Sequence, residues 1–392
     1  MKTLKRTWAD ISLDNLEYNY RSIRAHLPQG TKFLGVMKAD AYGHGAVPVS
    51  RALADLGAEY LAVSNLEEAV QIRRGEVRLP ILILGYTPAE YAANMIFLDI
   101  TQEVHSLEYA RELNEALAGT NYILNVHLKL DTGMTRIGFF AYDNERTLDE
   151  LRQVAQLPHL HIEGVFMHFC VADSRAEADV SFTKLQYKRF MDMLSAMAGV
   201  GIRPEIRHCC NSGATILYPE FALDMVRPGI ITYGNAPSDE LAGALSLRPM
   251  MSLHSMIAQV RTVPAGTDIS YGRLYRTKEE TRVAVLPIGY ADGLSRLLTG
   301  KASFYLQGHQ VPVIGRICMD MCMIDVSGVP EAKPGDVVTI FGYDDDGTLL
   351  PCERLARAQG TINYELLCQI SKRIPRICHR GAETSQILQY IV

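Results

Sequence analysis

Short apolar runs alternate with amphipathic stretches over most of the first 240 residues. Eight of the runs have the length and composition of buried strands: Lys32–Ala39, Tyr60–Ser64, Ile81–Gly85, Phe97–Val104, Tyr122–Leu130, His161–His168, Ile206–Cys210 and Ala222–Val226. Apolar residues at helical spacing predict helices between most of them, over Asn15–Arg24, Val47–Leu56, Leu66–Arg73, Leu107–Leu117, Thr147–Gln156 and Phe182–Met197. Eight β–α units over about 200 residues fit a (β/α)8 barrel better than an open sheet.

The pattern changes after residue 240. The apolar segments become short and rich in β-branched residues, and turn signals separate them: Ser252–Val263, Thr281–Pro287, Val311–Ile317, Cys322–Val326 and Asp336–Phe341. This pattern of short strands and turns is typical of a mainly antiparallel β domain. The small, polar residues 235–244 mark a boundary between the two domains. We therefore predict an α/β fold, with a TIM-like barrel domain over residues 1–240 and a β domain over residues 241–392. The first ten or so residues are candidates to pair with the second domain.

Composition narrows the classes of partner. The 392 residues carry 39 Lys and Arg against 44 Asp and Glu, a net charge of −5 that offers no general attraction to nucleic acid or anionic membranes. The longest apolar run, Leu79–Tyr86, is too short to span a bilayer, and the N-terminus lacks the apolar core of a secretory signal. Eight cysteines without framework spacing indicate reduced thiols, so we expect a cytoplasmic location.

A metal site is not expected. Cys318 and Cys322 lie in a strand-like stretch where residues four apart share a face, which is a poor arrangement for tetrahedral zinc. The run His208-Cys209-Cys210 has no second paired cluster nearby.

Functional residues of a barrel should lie at the carboxyl ends of its strands. Polar side chains occur there, at Lys38, Arg136, His168, Asn211, Ser212 and Arg227. An unpaired ammonium at the end of a buried strand is costly to desolvate. Lys38 is therefore either a rim lysine whose amine reaches solvent or an amine held for a Schiff base.

Phosphate-binding motifs give a weaker signal. The glycines of AYGHG match neither the dinucleotide nor the nucleoside-triphosphate loop. Backbone amides at Gly229 and Ile230, together with Ser212, could still hold a phosphate at the last two strands, where barrels commonly place one.

Nine motifs, in order along the chain, resemble those of alanine racemases. VMKADAYGHG (36–45) is similar to the family's pyridoxal-phosphate attachment motif, and the other eight are LKLDTGMTRIGF, FMHF, NSGAT, VRPGI, SYG, IGYADG, GRICMDM and INYE. The similarity runs from Trp8 to Arg376. It implies an enzyme with a cofactor-binding barrel followed by a β domain, in agreement with the hydrophobic pattern.

The resemblance assigns the cofactor site. It implies that Lys38 carries pyridoxal 5′-phosphate (PLP) and that His168 packs near its ring, while Arg227 donates to its pyridine nitrogen. The residues implied to hold the cofactor and its phosphate are Tyr42, Asn211, Ser212, Gly229, Ile230 and Tyr364. Because a guanidinium only donates, the pyridine nitrogen would stay unprotonated, which favours racemisation over transamination.

The resemblance also implies two bases. Lys38 would serve one face of the substrate's α-carbon and Tyr271 the other, with Tyr271 supplied by the second subunit of a homodimer whose active sites lie at the interface. A phenol pKa of about 10 must be lowered for this role. Arg136 and the backbone N–H of Met319 would bind the substrate carboxylate, and Lys129 carries a carbamate in many relatives.

The resemblance also indicates the size of the substrate. The resemblance places Tyr290 and Tyr364 at a narrow entrance and pocket, which favours alanine. The implied activity is alanine racemisation that supplies D-alanine for peptidoglycan. The alternatives are a serine or broad-specificity racemase, a non-catalytic PLP carrier and a related decarboxylase.

Overall fold

The computed structural model describes residues 6–142 and 144–390. Among these residues lie twenty-two strands, in chain order: β1 (Thr7–Ser12), β2 (Lys32–Val36), β3 (Tyr60–Val63), β4 (Ile81–Ile83), β5 (Ile100–Val104), β6 (Leu124–Asp131), β7 (Phe139–Phe140), β8 (Leu160–Phe166), β9 (Ile206–His208), β10 (Met225–Val226), β11 (Met251–Met256), β12 (Gln259–Val263), β13 (Asp268–Ile269), β14 (Tyr275–Arg276), β15 (Thr281–Leu286), β16 (Ser303–Leu306), β17 (His309–Ile314), β18 (Cys322–Asp325), β19 (Val337–Tyr343), β20 (Leu349–Leu350), β21 (Arg376–Arg380) and β22 (Glu383–Leu388).

The same residues contain eleven helical segments: α1 (Leu13–His26), α2 (Lys38–Tyr42), α3 (Ala46–Leu56), α4 (Leu66–Arg74), α5 (Ala92–Phe97), α6 (Leu107–Ala116), α7 (Asn144–Ala155), α8 (Glu177–Gly199), α9 (Ser212–Leu217), α10 (Cys352–Gln359) and α11 (Asn363–Gln369). Short 3-10 helices connect other elements, at Ala89–Tyr91, Pro219–Phe221, Ile230–Tyr233, Asp239–Leu241, Tyr271–Arg273, Tyr290–Asp292 and Arg296–Leu298. No helix in the described part of the chain combines the length and apolar character needed to cross a bilayer.

The chain divides into two compact units. The barrel unit comprises residues 16–41 and 46–248. The β unit comprises the described residues among 1–15, together with residues 42–45 and those described from 249 onward.

A parallel sheet forms the barrel unit. Its main strands follow the order β10-β2-β3-β4-β5-β6-β8-β9, and each neighbouring pair is parallel. The N–H groups of Asp224 and Arg227 donate to the carbonyls of Arg207 (3.0 Å) and Cys210 (2.9 Å), which joins the segments of β9 and β10. The predicted eight-stranded barrel is therefore confirmed, and fully buried side chains such as Leu61, Val104 and Leu128 fill its core.

The β unit is built on one large, mainly antiparallel sheet, as the sequence predicts. Its order is β12-β15-β18-β17-β16-β19-β11-β1-β21-β22, with β20 paired to β19. Strand β1 lies inside this sheet, antiparallel to β11 and parallel to β21. The alternating side chains of β1 place Ala9 and Ile11 in the core without solvent exposure.

Some predicted elements differ in detail. The segment Ser252–Val263 forms two strands, β11 and β12, because the chain leaves one strand partner at Met256 and meets another at Gln259. Cys318 lies outside any strand, so the prediction that it shares a strand face with Cys322 is wrong. The apolar residues of α10 and α11 recur at helical spacing, but the β-rich surroundings hid this signal.

Candidate active site

The predicted site residues of the barrel unit follow the carboxyl ends of its strands. Lys38 comes two residues after β2, His168 two residues after β8 and Arg227 directly after β10. Because the strands are parallel, these side chains lie at one end of the barrel. The electrostatics of His168 supports this grouping. Its pKa is held well below the usual value, first by burial and then by the nearby positive charges of Arg227, Lys129, Arg136 and Lys38. The imidazole is neutral in this cationic cluster.

The guanidinium of Arg227 is fixed from several sides. Its Nη1 donates to Nδ1 of His208 (2.9 Å), and its Nη2 donates to the carbonyls of Met167 (2.7 Å) and Cys209 (3.1 Å). Only 3% of the residue is exposed, and burial lowers the Arg227 pKa to about 10, so it remains a cation at neutral pH. The protein thus holds a buried, oriented cation at the barrel end.

Lys129 is a second buried cation-forming group. It lies on β6 with 5% of its surface exposed, and its Nζ donates to the carbonyl of Leu130 (3.1 Å). Burial, followed by the charges of Arg227 and Arg136, lowers the Lys129 pKa to about 7. A substantial fraction of this amine is therefore uncharged and nucleophilic near neutral pH. Arg136 itself is exposed, in the segment after β6.

Lys38 opens a left-handed turn that the sequence does not predict. Residues Ala39 to Tyr42 have φ between 52° and 56°, whereas the apolar pattern extends the strand to Ala39. Left-handed backbone costs about 1–2 kcal/mol per non-glycine residue, so neighbouring groups must hold it. Glu68 accepts from the Ala39 N–H (2.7 Å), and Asp40 accepts from the Ala46 N–H (2.8 Å). The turn ends the strand at Val36 and starts a new chain direction at Lys38.

Two helical starts meet beside the last strands. The Asn211 side chain caps α9 by accepting from the Ala214 N–H (3.0 Å), and Ser212 Oγ accepts from the Gly229 N–H (2.9 Å). Ile230 begins the next 3-10 helix. The Ser212–Gly229 bond ties the start of α9 to the start of the 3-10 helix. Backbone N–H groups at helical starts and a serine hydroxyl are suitable donors for an anion.

The remaining predicted residues belong to the β unit. Tyr271 follows Ser270, whose φ of 65° turns the chain, and 69% of Tyr271 is exposed. Tyr271 and Met319 line one surface cavity of this unit. The backbone N–H of Tyr290 donates to the carbonyl of Cys318 (3.0 Å), which ties Tyr290 to the segment that carries Met319.

Tyr42 and Tyr364 form a second pair in the β unit. Their ring centroids are 6.0 Å apart, and burial raises the pKa of the Tyr42 phenol. Tyr42 is therefore a neutral hydroxyl group at physiological pH. Both residues belong to the β unit, because residues 42–45 group with it rather than with the barrel unit.

Sequence reasoning missed the polar interior of the barrel. His208, which holds Arg227, was considered only as a metal ligand, and neither His127 nor Glu163 was singled out. The available signal was a charged or imidazole side chain in the middle of an otherwise apolar strand, which requires a partner when buried.

Comparisons with known proteins agree over both units. Residues 11–237 match the family described as "Alanine racemase, N-terminal domain", and residues 250–378 match "Alanine racemase, C-terminal domain". Among curated relatives, the chain is 46% identical to the alanine racemase of Desulfovibrio desulfuricans over 94% of this chain and 97% of that protein. It is 42% identical to the alanine racemase of Clostridium tetani over the full length of both.

Solved structures show the same similarity. The alanine racemase of Clostridium difficile 630 superposes with a TM-score of 0.93 at 40% identity and covers all of both chains. The Bacillus anthracis alanine racemase with bound L-Ala-P gives a TM-score of 0.92 at 34% identity, over 100% of this chain and 99% of that one.

Proposed function

The chain belongs to the alanine racemase family, and from this premise we propose that it interconverts L-alanine and D-alanine with the help of PLP. The observation that carries the proposal is the buried, oriented guanidinium of Arg227 at the barrel end that also holds Lys38. The Arg227 guanidinium can only donate hydrogen bonds. It therefore suits a cofactor such as PLP, whose unprotonated pyridine nitrogen accepts one.

The donors at the barrel end fit the cofactor's chemistry. The Ser212 hydroxyl, which accepts from the Gly229 N–H and keeps its own hydrogen, and the N–H of Ile230 would supply neutral donors for a phosphate, with Asn211 holding the start of α9. A contact of the Gly229 N–H with the phosphate stays a prediction from the resemblance. Lys38 supplies the primary amine that an aldehyde needs. When bound, PLP would act as an electron sink that acidifies the α-hydrogen of the amino acid. The contributions of Tyr42 and Tyr364 to this site remain predictions from the resemblance.

Arg227 gives a reason for racemisation rather than transamination. A guanidinium has donors and no acceptor, and its charge opposes protonation of a ring nitrogen beside it. One hydrogen of Nη1 is held by His208 and Nη2 is held by backbone carbonyls, so Nε–H and the second hydrogen of Nη1 are the donors that a ligand could use. His168 is neutral and adds no positive charge at the ring.

Inversion at Cα requires a proton to leave one face and another to arrive at the opposite face. We assign the first face to the Lys38 amine and the second to the Tyr271 phenol of a second copy of the chain. The high exposure of Tyr271 is suitable for a residue that serves another subunit. The active protein would then be a homodimer.

Arg136 and the N–H of Met319 are proposed to hold the substrate carboxylate. Arginine offers a planar pair of donors that matches a carboxylate. The lowered pKa of Lys129 supports its proposed carbamylation, because carbon dioxide reacts with the uncharged amine. A carbamate would convert a neighbour that repels Arg136 into an anion that attracts it.

Alanine is the proposed substrate because Tyr290 and Tyr364 are large side chains at positions that the resemblance assigns to the entrance and pocket. Tyrosine at both positions favours a methyl side chain over longer ones. In the cell, we propose that the enzyme acts in the cytoplasm and provides D-alanine for peptidoglycan.

The proposal is tested with purified protein, PLP and one L-amino acid at a time. We expect L-alanine to be converted to an equal mixture of enantiomers, with kcat/KM for L-serine lower by at least about tenfold, the scale of one small group in a tight pocket. L-lysine should not react. D-amino acid is quantified by chiral chromatography, with heat-inactivated protein as the control. Faster racemisation of L-serine would identify the alternative racemase, and cofactor binding without turnover would identify a carrier.

A further inference from the structure

The barrel interior contains a chain of hydrogen bonds that begins at Arg227. Nδ1 of His208 accepts from Arg227 Nη1, and Nε2 of His208 lies 2.8 Å from Nδ1 of His127. Nε2 of His127 lies 3.1 Å from Oε2 of Glu163. Both imidazoles are fully buried, so protein groups rather than water determine their protonation.

The two ends of this chain impose one direction on it. A guanidinium can only donate, and a carboxylate can only accept. His208 must therefore accept at Nδ1 and donate from Nε2, and His127 must do the same to reach Glu163. An additional proton on either ring would place two donors against each other, so both rings are neutral. Burial, which lowers the pKa of both imidazoles, acts in the same sense.

Glu163 is placed for this role by an irregularity in the sheet. Strand β8 pairs with β6 in register up to Ile162 and Val126, and the next pair is Gly164 and His127. Glu163 is thus an extra residue in β8, a bulge of the kind that redirects a side chain. Its Oε2 also accepts from the hydroxyl groups of Tyr60 (2.8 Å) and Thr101 (3.3 Å).

Gly164 provides the space for the His127 ring. A Cβ atom at Gly164 would lie 2.5–2.6 Å from three atoms of that imidazole, closer than such contacts occur. The ring can occupy its position only because residue 164 lacks a side chain. The bulge, the glycine and the bond directions are three observations that agree on one arrangement.

We propose that Glu163 is a positioning residue for Arg227, and that it acts through His127 and His208 by fixing both imidazoles as their Nε2–H tautomers. With Nδ1 of His208 held as an acceptor, Nη1 of Arg227 has one partner, and the guanidinium keeps one orientation. Glu163 is thereby linked to the group that faces the cofactor ring. The effect of Glu163 on the cofactor site rests on the proposed function. The assignment of the two tautomers does not depend on that function.

The direct test is the tautomeric state of the two rings in the holoenzyme. Protein labelled with 15N-histidine, recorded by long-range 1H–15N correlation, should show protonated Nε2 and unprotonated Nδ1 for both, with signals assigned from His127→Gln and His208→Gln. In Glu163→Gln the group at this end of the hydrogen-bond chain no longer only accepts, because an amide also donates. We therefore expect the protonation of Nδ1 and Nε2 to change at both His127 and His208. Glu205→Gln, an exposed carboxylate at the start of the next strand, is the matched control.

Kinetics provide the second readout. In Glu163→Gln we expect kcat for alanine to fall about tenfold, the scale seen when a group that orients a ligand through another residue is removed. KM should change by less than about threefold, since Glu163 is not expected to contact the substrate. Gly164→Ala, with Gly199→Ala as its control, should give the same two changes by displacing the His127 ring.

A proton on Nδ1 of either ring in the wild-type protein would overturn the proposal. A change of tautomer without a change of kcat, or a loss of kcat with both tautomers retained, would also overturn it. If Glu163→Gln does not fold, the wild-type spectrum and Gly164→Ala still decide the question. Failure of the proposed function is distinguishable, because the wild-type protein would then form no D-alanine from L-alanine, whereas the tautomers of His127 and His208 are read from the spectrum without any turnover.

Discussion

Replacement of Lys38 by alanine should lower alanine racemisation by at least about 10⁴-fold, the upper range for the loss of one acid–base group. In the proposed mechanism the same amine attaches the cofactor and serves one face of the substrate, so both functions are lost together. Initial rates in both directions measure the effect. Added methylamine should restore part of the activity, because a free amine can replace a missing amine.

Lys32→Ala is the matched control for this variant. Lys32 lies at the opposite end of the same strand, β2, and is exposed, so its replacement tests the loss of a lysine without a change at the barrel mouth. Borohydride reduction of the wild-type enzyme should attach a pyridoxyl group to the peptide that contains Lys38. An unmodified Lys38 peptide, or a Lys38→Ala variant with wild-type rates, would contradict the assignment.

Replacement of Tyr271 by phenylalanine should separate the two faces of the reaction. We expect racemisation in both directions to fall by about 10²–10⁴-fold, the range for the loss of one proton donor. Exchange of the α-hydrogen with solvent should persist for the enantiomer served by Lys38 and be lost for the other. Proton NMR in deuterated water, recorded separately for L- and D-alanine, measures both exchange rates.

The control for this variant is Tyr305→Phe. Tyr305 lies on β16 in the same unit and is outside the residues assigned to the reaction. Its loss should leave both exchange rates unchanged. Equal residual exchange of the two enantiomers in Tyr271→Phe would show that this phenol does not serve a single face.

The pattern of apolar and polar residues was sufficient to predict the architecture of both units. Alternation of apolar runs with helical spacing predicts parallel strands, and their carboxyl ends bring Lys38, His168 and Arg227 to one place. These inferences depend on local periodicity and on a topological rule. Neither requires knowledge of contacts between distant residues.

The parts that the sequence did not reveal depend on such contacts. The left-handed turn at Ala39–Tyr42 contains no glycine, and one of the carboxylates that hold it, that of Glu68, lies 29 residues away in the chain. His127 and His208 are 81 residues apart in the sequence. Glu163 reaches their hydrogen-bond network because it is an extra residue in β8. The alternation of apolar and polar residues along a strand does not reveal where a bulge lies.

The most direct test of a two-base racemase follows L-alanine with the wild-type enzyme in deuterated water. At early times, the D-alanine formed should carry deuterium at Cα, while the remaining L-alanine keeps its hydrogen, because the arriving proton comes from a different group than the one that removed the first. Chiral separation followed by mass spectrometry measures both pools. D-alanine that retains the original hydrogen would contradict two bases, and the absence of D-alanine would contradict the proposed function itself.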